Sequence, residues 1–161
     1  MKASQLSLST DYPAFPEFHD YETPLESLDA RVLLILQQIR YALGQPIYPS
    51  PARGAWVRLT GDTASRHYAV GRLSDAGDIF PERGYLMQCW LVAQEMKDIG
   101  GLGIYADTHG PDGGLWPMLH FDLRPGRRVF WARDGDYFYL PQNRVDFWRV
   151  IKEIVRIEES I

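Results

Sequence analysis

The chain has 161 residues, 45% of them hydrophobic and 24% charged, with a formal net charge of -4. That length suits one domain with a real core, not two, and the composition is that of an ordinary globular protein. The acidic balance counts against nucleic acid as the main partner, and one cysteine, Cys89, excludes an intramolecular disulfide.

Residues 1–24 set Pro13, Pro16 and Pro24 among Tyr12, Phe15, Phe18 and Tyr21. They read as an extended arm pinned by its aromatics, with His19 a surface or packing residue. Over residues 24–43, Leu28, Val32, Ile35, Ile39 and Leu43 recur at helical spacing. Thr23 or Ser27 would cap that helix and Gly44 would stop it. Residues 45–48 read as a short strand, 50–54 as a turn, 56–59 as a second short strand or loop edge, and 60–67 as a polar loop. Asp78, Ile79 and Phe80 start a buried strand. Pro81 and Glu82 then open a helix to about Met96, with Leu86, Trp90 and Ala93 on one face. Residues 100–105 turn into a strand, and 106–115 form a loop by composition. Residues 118–123 alternate as a strand, with His120 and Asp122 on one face and Leu119, Phe121 and Leu123 on the other. Strands over 127–131 and 137–140 and a helix over 143–160, striped by Phe147, Trp148, Ile151, Ile154 and Val155, complete the chain. No window is long and apolar enough to span a bilayer, and residues 1–6 lack the apolar core of a secretory signal. Synthesis in the cytoplasm is the expectation.

Two segments carry the chemistry. Ser65-Arg66-His67 runs on to Asp75 and Asp78, and His120-Phe121-Asp122 follows later. If they meet in space, two imidazoles and one carboxylate leave a fourth position open for water, as catalytic zinc needs. The alternative is two ordinary histidines, one at a turn and one on a strand. Cys89 lies in an apolar run and reads as an inert buried thiol. Arg124, Arg127, Arg128 and Arg133 suit either a phosphate-rich or anionic polymer or, as cheaply, a solvated sheet edge. Trp116, Trp131 and Tyr137 suit either a core or stacking on sugar rings, with the core favoured for Trp131 and Trp116 left open.

In order, Ser65-x-His67, Gly71, Ala76-x-Asp78 and His120-x-Asp122 resemble the zinc D-alanyl-D-alanine metallopeptidases of the LAS type, which cut peptidoglycan stem peptides. Residues 43–47, the Ser50-Pro51-Ala52-Arg53 turn and the glycine-rich 100–105 are similar to further parts of that family, and the likeness covers roughly residues 15–131. The resemblance implies an α+β fold, with a mainly antiparallel central sheet flanked by helices in a single domain. It implies a Zn2+ peptidase, carboxypeptidase or endopeptidase, with His67, Asp78 and His120 as ligands. Asp75 is a rival to Asp78, because three extra residues separate Gly71 from Ala76. Arg53 would dock a substrate carboxylate or carbonyl, Ser65 would line the same cleft, and His109 could join them there. Asp122 would orient an imidazole or act on the bound water. Some relatives carry an acidic catalytic residue three positions before the last histidine, where this chain has Pro117. The base is then Asp122, or another carboxylate such as Asp107 or Asp112. The partner would be a peptidoglycan stem peptide or other small peptide, reached at the cell wall after phage-type release. The competing expectation is an inactive relative that serves as a binding or virion structural protein.

Overall fold

The computed structural model describes residues 2, 25–110 and 112–160, so the expected arm with His19 lies outside it apart from Lys2. After a 3-10 turn at Leu25–Ser27 comes α1, Ala30–Leu43. Its cap is neither Thr23, which lies outside the described residues, nor Ser27. It is Asp29, whose carboxylate accepts the Arg31 N–H at 2.9 Å. Gly44 ends the helix, giving its N–H to the Arg40 carbonyl. Val32, Leu33, Ile35, Leu36 and Ile39 bury the apolar stripe read from the sequence.

The remaining elements are β1 (Ile47–Pro49), β2 (Ala76–Pro81), α2 (Leu86–Glu95), β3 (Gly101–Tyr105), β4 (Met118–Asp122), β5 (Val129–Asp134), β6 (Asp136–Tyr139) and α3 (Arg144–Glu159). The strands form one mixed sheet in the order β1-β2-β4-β3-β5-β6. Every neighbouring pair is antiparallel except β3 and β5. The expected α+β architecture with a mainly antiparallel sheet is therefore present. No helix among the described residues is long and apolar enough to cross a membrane.

Two further readings are settled. Residues 56–59 form the loop edge, not the short strand. Arg58 makes one isolated bridge to Tyr68, and Trp56 is buried in the core instead. The helix expected from Pro81 begins at Leu86, because Pro81 still pairs with Ile47 at the end of β2.

The two faces of the sheet have separate duties. Leu119 and Phe121 of β4, Leu102 and Ile104 of β3 and Ile79 of β2 turn toward the helices and are fully buried. Each such side chain contributes about 1.5–3 kcal/mol by leaving water. That face holds the domain together and leaves the other face able to carry polar groups. Glycines at alternate positions of β3 make room there: a Cβ on Gly103 would run into the Trp131 indole, and one on Gly101 into the Asp122 carboxylate.

Candidate metal centre

Antiparallel register sets Asp78 of β2 directly opposite His120 of β4, and Ala76 opposite Asp122. Both carriers of the site are therefore fixed by ladder hydrogen bonds in the middle of the sheet. His67 arrives from outside it, on the excursion of residues 50–75 between β1 and β2. Its carbonyl accepts the Arg58 N–H at 2.7 Å, which ties the histidine loop to the 56–58 segment.

Three donor atoms converge. His67 Nε2 lies 3.2 Å from His120 Nδ1, His120 Nδ1 lies 2.7 Å from Asp78 Oδ1, and His67 Nε2 lies 3.5 Å from the same oxygen. Tetrahedral ligands at zinc–nitrogen and zinc–oxygen bond lengths stand about 3.3 Å apart. Two of the three edges match that spacing, and the third is shorter. All three residues are buried, and the group could hold a metal ion. The two imidazoles and one carboxylate suit zinc by chemistry, although this donor set also accepts other first-row metals.

The electrostatics are those of a packed charge cluster. Burial by itself would raise the Asp78 carboxyl, but the His67 and His120 imidazoles more than offset this and hold it well below the usual carboxylate range. His120 Nε2 faces Asp122 Oδ2 at 3.2 Å. Asp122 has no exposed surface and also accepts from Arg124 Nε at 2.8 Å and from the Arg124 backbone N–H at 3.0 Å. A carboxylate so placed orients the imidazole. It does not face the cleft, so of the two roles expected for Asp122, proton transfer to or from cleft water does not fit its position. His67 Nδ1 is buried with no hydrogen-bond partner among the described residues, so only one imidazole has such a support.

Above the group opens a cleft of about 540 Å3. Ser65 and His109 line it as expected. Arg53 does not: it is exposed at its turn, and the cleft is instead lined by Arg58, five residues on. Asp75 is not a rival ligand, because its carboxylate is paired with the Arg66 guanidinium, and Asp75 lies outside the donor group. Asp107 pairs with Arg133 at 3.1 Å and Asp112 with Arg83 at 2.7 Å, and neither lines the cleft. Besides Asp78, the carboxylate that does is Asp62, a residue sequence reading left in an anonymous polar loop. Cys89 is buried in α2, and burial pushes its thiol far above the usual range, which leaves it inert.

No protein-family model, curated protein or solved structure matches the chain. The site's chemistry is therefore read from its own geometry.

Proposed function

We propose that this protein is a zinc-dependent peptidase acting on peptidoglycan stem peptides or cross-links. The observation that carries the reading is the convergence of His67 Nε2, Asp78 Oδ1 and His120 Nδ1 on one point at the floor of an open cleft. The ordered motifs that resemble the LAS-type peptidases support it. His67, Asp78 and His120 would hold the ion, which when bound supplies an acidified water and polarises the scissile carbonyl. Asp122, clamped by Arg124, keeps the His120 ring in register. Of the arginines that line the cleft, Arg66, Arg124 and Arg133 are paired with acids, so Arg58, rather than Arg53, would be the one to meet a substrate carboxylate. Asp62 is the carboxylate in position to take a proton from cleft water. Tyr105 lines the same cleft, with its hydroxyl accepting from the Trp131 indole N–H at 3.3 Å.

The test is metal content and turnover together. Protein purified without chelator should carry one zinc per chain and release D-alanine from an acyl-D-alanyl-D-alanine peptide or cleave a cross-linked stem. His67→Ala and Asp78→Asn should lose the zinc, whereas Asp75→Asn should keep it. No zinc under saturating metal overturns the reading. Zinc without cleavage of any stem peptide favours a binding protein on the same scaffold, a second reading that Pro117 supports by standing where some members of the LAS-type family have an acid.

A further inference from the structure

One wall of the cleft is the β5–β6 hairpin, and its side chains are more than the metal group needs. Strand alternation turns Trp131, Arg133, Tyr137 and Tyr139 to the cleft and leaves Phe130 and Phe138 packed against the core. Trp131 pairs across the ladder with Tyr139, and Arg133 with Tyr137. Tyr137 and Tyr139 remain 49% and 41% exposed. Their rings are nearly parallel, with centroids 6.3 Å apart and 19° between the planes. Two buried rings brace them: Tyr105 meets Tyr137 edge-on at 6.0 Å, and Trp131 meets Tyr139 at 6.1 Å. Rings held this way lose little freedom when something lies on them. Tyr139 also lines a second depression, of about 400 Å3, together with Arg127, Leu140 and Asn143. The exposed ring faces thus bridge two hollows.

The chemistry of the wall selects the occupant. The arginines beside the two rings are matched by acids, Arg133 by Asp107 and Arg124 by Asp122, and Arg127 in the second depression has no acid partner among the described residues. The path therefore offers flat faces, hydroxyls and N–H donors, with a single uncompensated guanidinium at its far end. A nucleobase would stack equally well, but a nucleic-acid strand would find one uncompensated guanidinium along this path, Arg127, on a chain of net charge -4. A pyranose has a flat C–H face and uncharged polar groups around its rim, and a chain of them spans two adjacent rings. We propose that Tyr137 and Tyr139 form a subsite for a neutral pyranose chain that runs from the cleft across Tyr139 into the second depression. The subsite does not depend on metal at His67, Asp78 and His120. If both hold, the peptide that is cut hangs from the sugar strand.

The test titrates the full-length chain, with and without zinc, with the N-acetylglucosamine tetramer and with cellotetraose, following the tyrosine ring resonances by NMR. At least one tetramer should bind saturably at millimolar concentration, with or without zinc, and shift the ring signals of Tyr137 and Tyr139. Tyr137→Ala and Tyr139→Ala should each weaken binding about tenfold, while Tyr139→Phe, which keeps the ring, should bind nearly as the parent does. If an alanine variant fails to fold, the wild-type ring shifts decide. The proposal is overturned if neither tetramer binds, if binding leaves those rings undisturbed, or if a single-stranded oligonucleotide occupies the rings and the sugars do not.

Discussion

Both ring nitrogens of His120 face carboxylates, Asp78 at 2.7 Å and Asp122 at 3.2 Å. Burial alone would lower the imidazole's pKa, but the bonds to Asp122 and Asp78 outweigh it and raise it from 6.5 to about 9. A group whose folded pKa is raised contributes stability that is fully present below its unfolded value and is lost as pH climbs through the folded one. The metal-free protein should therefore lose stability between pH 6.5 and about 9, seen as a falling urea midpoint. Zinc affinity should move the other way. The ion has to displace the proton on Nδ1, so affinity measured by competition with a chelator should rise over the same interval. His120→Gln should flatten the stability profile and lose the zinc.

Helix α2 has no side-chain cap of its own, because Tyr85 at its start offers none. The Leu86 and Met87 N–H groups donate instead to the Glu158 carboxylate of α3, at 2.8 and 3.4 Å. The last helix thus supplies the acceptor, and the negative charge, that an N-terminus favours. Glu158→Ala should cost about 1–2 kcal/mol of unfolding free energy in urea and leave zinc content unchanged. Strand β3 makes the opposite demand, for absence of a side chain. Gly103→Ala would drive a methyl into the Trp131 ring, whose centroid lies 5.1 Å from that of His120. The expected loss is about 1–3 kcal/mol, accompanied by weaker zinc binding, since the displaced indole presses on a ligand. Denaturant melts and chelator competition on the one variant read both effects.

At the scale of the whole molecule, the three candidate ligands come from parts held in different ways. Asp78 and His120 sit on paired central strands, while His67 rides on the excursion of residues 50–75. An ion bound by all three ties that excursion to the sheet. Free zinc at a hundred times its dissociation constant should stabilise the fold by about 2.7 kcal/mol, read as a melting temperature several degrees above that of the chelated protein. Limited proteolysis should cut the chelated protein first within residues 57–72 and spare the zinc-loaded form.

The periodic segments were readable in the sequence because local physics dictates them. The stripe of α1 and the alternation about His120 each follow from burying one face. That His67 and His120 would meet an aspartate was an expectation carried by the ordered motifs and their resemblance, and the three side chains do lie together in the fold. Tertiary packing decided the rest. Asp75 stood as a rival to Asp78 along the chain, and it is the strand register, which sets Asp78 opposite His120, and the Arg66 guanidinium, which pairs with Asp75, that separate the two. Arg53 and Arg58 flank one turn, and the path of the loop alone sets Arg58 in the cleft. Glu158 reaches α2 from 72 residues away, and Asp122 became a support rather than a base when Arg124 and the sheet closed over it. Charge pairing and loop course depend on what folds against a residue, and neighbours in sequence do not encode that.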